Sequence, residues 1–160
     1  MIERNLLLQL EDSEFLTHCL IDFYKARGPG GQKKNKTESA VRLTLKENGI
    51  SATASEDRQQ SVNRSRCIKR LKLQVAFEMR SEPEPWQGQL DMNPSNKNYP
   101  LFCAILFDHF NENSWQMSTV AEIYGISTGK LVKILAKSDT LWQEVNRQRT
   151  KNNLKPLRRN

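Results

Sequence analysis

The chain has 160 residues, of which 37% are hydrophobic and 27% charged, with a formal net charge of +7; that suffices for one ordinary domain, or for a small domain with a helical appendage, in a soluble protein. No apolar run approaches the ~20 residues a membrane helix needs, and Glu3, Glu11, Asp12 and Glu14 against a lone Arg4 are the wrong charge pattern for a signal or transit peptide, so a cytoplasmic chain is expected. Cys19, Cys67 and Cys103 are odd in number and scattered, and no Cys/His cluster has ligand spacing, so neither a disulfide framework nor a metal is expected.

In chain order, Ser13 is placed to cap a short helical turn. Cys19–Tyr24 is apolar, aromatic and β-branched and reads as a strand. Arg27-Gly28-Pro29-Gly30-Gly31 forbids regular structure and reads as a loop. Ala40–Leu45 alternates, with Val41, Leu43 and Leu45 on one face of a half-buried strand. Lys46-Glu47-Asn48-Gly49 supplies turn chemistry, with Asn48-Gly49 a two-residue hairpin signal, and residues 50–54 return as the partner strand. Ser55-Glu56-Asp57 is placed to cap a helix from about Arg58 to Phe77, where Val62, Cys67, Ile68, Leu71, Val75 and Ala76 share one stripe and basic residues decorate the rest.

Pro83, Pro85, Gly88, Pro94 and Pro100 mark residues 81–100 as a linker, with Trp86 as its anchor. Residues 101–151 read as helices. Thr119-Val120-Ala121-Glu122 fits a capping box. Ala121, Gly125 and Leu131 have helix-turn-helix spacing, with Ser127 as cap of the second helix. Leu141 to about Lys151 makes a further helix, and Trp115 and Trp142 are expected in the core. The predicted fold is therefore α+β. A small mixed or antiparallel sheet with a glycine loop and a packed basic helix fills residues 1–80; a linker over 81–100, a small helical domain over 101–151 and a basic tail over 152–160 follow.

Charge is segregated. Residues 1–24 carry net −4, 25–72 net +9, 73–146 net −4 and 147–160 net +6. Two cationic blocks of this kind predict a polyanion partner. Within the first block, Gly30 and Gly31 permit close backbone approach and positive φ. Gln32 offers a backbone N–H and an amide, neither of which is an acid, base or nucleophile at neutral pH. Such a tip can donate a preorganised hydrogen bond to developing oxygen charge in acyl transfer, worth on the order of 10²–10³ in rate. It lacks its own acid and base, so the remaining catalytic environment must come from the partner that the surrounding cations grip.

The stretch Arg27-Gly28-Pro29-Gly30-Gly31-Gln32-Lys33-Lys34-Asn35-Lys36-Thr37-Glu38-Ser39-Ala40-Val41-Arg42-Leu43, followed by the hairpin and by Asp57-Arg58-Gln59-Gln60-Ser61-Val62-Asn63-Arg64, resembles the catalytic domain of bacterial class I peptide chain release factors over about residues 18–77. The resemblance implies a ribosome-dependent peptidyl-tRNA hydrolase acting in translation termination, with large-subunit ribosomal RNA at the peptidyl transferase centre and peptidyl-tRNA as partners. It implies water as nucleophile, no cofactor and a monomer.

In the same resemblance Gly30, Gly31 and Gln32 are the catalytic tip, and Gln32 is the candidate for N-methylation. By that resemblance Asn35, Lys36, Arg42, Arg58, Asn63 and Arg64 are candidate contacts to ribosomal RNA, and the neighbouring cations Arg27, Lys33, Lys34, Lys69 and Arg70 join them as candidates by their charge. Three positions depart from the family pattern: Arg27 stands for the usual Ser, Lys33 for the frequent His and Cys67 for the usual Ala. Neither codon-reading tripeptide of the family, Pro-x-Thr or Ser-Pro-Phe, occurs in the chain, which points to rescue of stalled ribosomes without a stop codon.

Arg147, Arg149, Lys151, Lys155, Arg158 and Arg159 resemble in composition the tail that rescue factors lay in the empty mRNA channel of the small subunit. The alternatives are a release factor triggered by a protein partner, a split large subunit or a damaged decoding site, and a non-catalytic RNA- or DNA-binding regulator.

Overall fold

A computed structural model of the chain describes residues 1–26 and 38–159. They form two compact units, Met1–Glu78 and Met79–Asn160.

In the first unit two short helices, α1 (Arg4–Gln9) and α2 (Asp12–Thr17), precede strands β1 (Cys19–Tyr24), β2 (Ala40–Leu45) and β3 (Ser51–Ala54) and a long helix α3 (Gln60–Glu78). The sheet is antiparallel throughout, in the order β1-β2-β3. The alternation in β2 does what it predicts: Val41, Leu43 and Leu45 are buried and Arg42 is exposed. Phe23, Ile21 and Cys19 of the edge strand lie opposite them in register. Helix α3 covers this face over β2 and β3 with Cys67, Ile68, Leu71, Val75 and Ala76, all buried, while Ile21 and Phe23 of the edge strand stay exposed. Its close approach at Cys67, whose thiol donates to the Ala52 carbonyl at 3.1 Å, suits a small side chain.

Two local expectations are corrected. The turn falls on Lys46-Glu47-Asn48-Gly49 as expected, but Asn48-Gly49 does not make a two-residue hairpin within it. Leu45 and Ile50 close a four-residue loop, in which the Gly49 N–H bonds the Leu45 carbonyl at 3.0 Å, and Gly49 takes φ +76. Ser13 does not cap α2; Glu11 stands at the cap, without a side-chain bond, and Ser13 lies in the first turn.

In the second unit residues 79–98 contain no helix or strand, yet they are bonded to the helices that follow. Asp108 accepts from Arg80 Nη1 at 3.1 Å and from the Ser81 N–H at 3.0 Å. His109 Nε2 donates to the Glu84 carbonyl at 2.8 Å. Trp86 packs on Phe102 with centroids 5.3 Å apart. Helix α4 (Tyr99–Glu112) is buried on nearly every side, which its almost unbroken apolar run requires.

Helices α5 (Met117–Ile123), α6 (Thr128–Leu135) and α7 (Asp139–Lys151) complete the unit. Gln116 rather than Thr119 stands at the cap of α5, so the capping box does not form. Ser127 does cap α6, accepting from the Lys130 N–H at 3.1 Å. Between α5 and α6, Gly125 at φ +66 donates to the Glu122 carbonyl and Ile126 to that of Ala121, each at 3.0 Å. This Schellman turn, with Ala121 and Leu131 buried behind it, realises the helix-turn-helix spacing. Trp115 is buried against Phe110, the rings nearly parallel and 5.3 Å apart.

The tail is not extended. Asn153, at φ +61, ends α7 in a second Schellman turn, with the Leu154 N–H on the Arg149 carbonyl at 2.9 Å and the Asn153 N–H on that of Thr150 at 3.1 Å. The chain then runs back along α7. The Leu157 N–H donates to Asn146 Oδ1 at 2.6 Å, Arg149 Nε to the Lys155 carbonyl at 3.0 Å, and Arg159 pairs with Asp139 at 2.5 Å while lying over Trp142.

Candidate functional site

Gly30, Gly31 and Gln32, with Arg27, Lys33, Lys34, Asn35 and Lys36, lie outside the described residues. What the structure gives is their mounting. Tyr24 and Ala40 face each other as the last rung of the β1–β2 ladder. The segment carrying the tripeptide therefore leaves and re-enters the sheet at one place.

Its returning limb is fixed by the start of α3. Gln60 Nε2 donates to the Glu38 carbonyl at 2.7 Å. Asn63 Nδ2 donates to the Ser39 carbonyl at 2.8 Å and to the Asp57 carbonyl at 2.9 Å, and Asn63 Oδ1 accepts from the Asp57 N–H at 3.1 Å. Asp57 in turn accepts from the Gln59 N–H at 2.9 Å, just ahead of the helix. One buried amide thus ties the limb, the turn before α3 and the helix together.

Asn63, a candidate RNA contact by resemblance, does not present itself for that. Its side chain is wholly buried, and both ends of its amide are used inside the fold. The sequence held a signal for this. Asn63, Cys67, Leu71 and Val75 recur at i,i+4 on the apolar stripe, and a polar residue there must be hydrogen-bonded internally.

The other expected RNA contacts divide. Arg58, Arg64 and Lys69 are exposed. Arg42 sits half-exposed on the open side of β2, 3.3 Å from its register partner Asp22 and over the Tyr24 ring at 4.9 Å. Arg70 pairs with Glu56 at 2.7 Å and donates to the Thr53 carbonyl at 2.9 Å. Burial pushes the Glu56 carboxyl up, but the hydrogen bond and charge of Arg70 and the backbone N–H groups of Glu56 and Ser55 together outweigh this and leave it below its ordinary range. Lys72, which composition places among the surface cations of α3, is buried instead: it reaches the Leu10 carbonyl at 2.9 Å and lies over the Phe15 ring.

Of the terminal basic residues, Lys151, Lys155 and Arg158 are exposed. Arg147 is bound to Glu144 at 2.5 Å, Arg149 donates to the Trp115 carbonyl at 2.7 Å, and Arg159 is held as described above.

No thiol is poised for nucleophilic work. Burial, with a smaller contribution from Cys67, raises Cys19 to about 11, and burial raises Cys103 to about 12 and Cys67 above its ordinary value. Among the described residues no group of three or more His, Cys, Asp or Glu could hold a metal ion. No helix among them is long and apolar enough to cross a membrane.

The family model described as "RF-1 domain" matches residues 15–97. "Peptide chain release factor 2" of Pasteurella multocida is 49% identical over 59 residues, which are 37% of this chain and 16% of that protein. "Peptide chain release factor 2" of Campylobacter lari is 37% identical over 91 residues, 57% of this chain and 22% of that protein. "Peptide chain release factor 1" of Xylella fastidiosa is 42% identical over 62 residues, 39% of this chain and 17% of that protein. The chain thus spans about a fifth of the length of these curated relatives.

Proposed function

The chain belongs to the RF-1 domain family, and from that premise we propose that it hydrolyses the ester of ribosome-bound peptidyl-tRNA. The observation that carries this reading is the placement of Gly30-Gly31-Gln32, inside the family span, on a segment whose two feet are a single rung of the sheet. A catalytic tip needs a rigid base so that its donor is preorganised rather than ordered at the moment of reaction. The Asn63 and Gln60 bonds provide that base on the returning limb.

In the proposed reaction water attacks the ester carbonyl, and its oxygen bonds to the acyl carbon. The carbon–oxygen bond to the tRNA terminal ribose breaks, and the proton lost by water reaches the leaving hydroxyl. The Gln32 backbone N–H stabilises the developing oxygen charge, and its side chain orders the water. Arg58, Arg64 and Lys69, exposed on and just before α3, hold ribosomal RNA phosphates; Arg42 does so from the open side of the sheet.

The trigger is proposed to be a stalled ribosome rather than a stop codon. The test is release of labelled formyl-methionine from ribosomes on an mRNA truncated at the P site, with Gly31→Ala as control. Release by the wild type alone supports the reading, and release no faster than the control's removes it.

A second reading of the trigger is favoured by the tail. Because residues 154–159 are bonded back onto α7, recognition by the folded helical unit, of a partner, a split subunit or a damaged decoding site, fits this geometry better than an arm laid in an empty channel. Filling the channel with longer mRNA separates the two: the channel reading loses release and the second keeps it.

A further inference from the structure

Helix α6 has two unlike sides. Leu131, Ile134 and Leu135 are buried in the second unit, while Lys130 and Lys133, one turn apart, are exposed, and Lys137 is exposed just past the helix end. The three lysines line an open groove of about 680 Å³ together with Ser127, Gly129 and Asp91. Asp91 reaches in from the irregular segment and forms an ion pair with Lys137. The hydrogen bond and charge of Lys137, with the charge of Lys130, hold the Asp91 carboxyl below its ordinary range. A carboxylate already sits in the field of two of the three lysines, where an external anion would bind.

We propose that this groove is a docking surface for the phosphate backbone of duplex RNA, gripped by Lys130, Lys133 and Lys137, with Asp91 as a built-in competitor anion. Lysine is a compact point charge without the planar fork that reads base edges. Arg, Asn and Gln, the residues that pair bidentately with bases, are absent from the sequence of α6, Thr128–Leu135. The surface therefore grips phosphates without reading sequence. The choice of RNA over DNA rests on the ribosomal reading above; the phosphate chemistry of the groove does not.

The test uses the full chain and a labelled RNA duplex of about 16 base pairs, roughly the reach of one duplex-RNA-binding module, titrated at several salt concentrations. Replacing Lys130, Lys133 and Lys137 together by alanine is expected to weaken binding and to lower the slope of log affinity against log salt by about one per lysine. Asp91→Asn, at an exposed position, is expected to tighten binding by removing the competing carboxylate. An unchanged slope in the triple variant, or weaker binding by Asp91→Asn, overturns the proposal. Tighter and sequence-dependent binding of a DNA duplex also overturns it, because α6 would then be a base reader.

Peptide release by the same wild-type preparation reports separately on the ribosomal reading. Release without lysine-dependent duplex binding removes this inference alone, and lysine-dependent binding without release removes that reading alone.

Discussion

The side chain of Asn63 and the carbonyl of Ser39 meet at 2.8 Å across 24 positions of sequence, and through this bond the long helix holds the limb that leads back from the segment proposed to be catalytic. Asn63→Ala would leave the buried Ser39 carbonyl and both part-buried backbone groups of Asp57 without their partner. The expected loss is about 3 kcal/mol of unfolding free energy, read from urea denaturation. Peptide release should fall further than the unfolded fraction accounts for. Equal losses in the two measurements would show that the bond only stabilises.

The proposed role of Gln32 separates backbone from side chain. Gln32→Pro removes the N–H and is expected to lower release by about 10²–10³. Gln32→Ala keeps the N–H and should lose less, mainly in discrimination between water and other nucleophiles. Single-turnover release with and without added hydroxylamine measures both. Equal loss in the two variants would assign the function to the side chain instead.

The folded-back tail predicts protection at one amide. The Leu157 N–H bonds the Asn146 side chain, so Asn146→Ala should expose it to exchange. One hydrogen bond is worth about 1 kcal/mol, roughly fivefold in exchange rate. Arg159→Ala, which removes a half-exposed ion pair, should shift it by about 1 kcal/mol at most. Fast exchange of Leu157 in the wild type would mean that the tail is loose in solution.

The buried thiols predict a one-sided pH dependence. The unfolded chain releases the Cys19 proton near 9.0 and the folded chain near 11, with Cys103 and Cys67 raised in the same direction. Between those values the unfolded state binds fewer protons, so stability falls as pH rises through the window. Thermal melts at successive pH values from 8 to about 11 should show a falling midpoint, and iodoacetamide should label the folded chain slowly at neutral pH. A midpoint that stays flat above pH 9.0 would remove this cause.

Local chemistry made some elements readable and not others. Strands β1 and β2 appear at the residues where alternation and composition put them, because burial of Val41, Leu43 and Leu45 leaves no other register. The Gly125 turn and the Ser127 cap were equally plain, since each depends on atoms within a few residues. Helix α1 was not foreseen: six residues with Leu6-Leu7-Leu8 at their centre carry no period. Asn63 and Lys72 escaped for the opposite reason. The stripe of α3 marks Asn63 as buried, but its Ser39 partner and the Leu10 partner of Lys72 lie 24 and 62 positions away, and only the fold brings them within reach. The direction of the tail likewise depends on Asn153 taking positive φ, which composition alone does not dictate.

Because Tyr24 and Ala40 are one rung of the ladder, the β1–β2 register is held by the paired residues and the buried face of β2, and the segment joining the two strands is proposed to play no part in setting it. Its length is then a free variable of design. Doubling it costs only about 0.6 kcal/mol in closure entropy. The three-stranded platform can serve as an interchangeable handle, onto which tips of different reach are grafted without re-engineering the core.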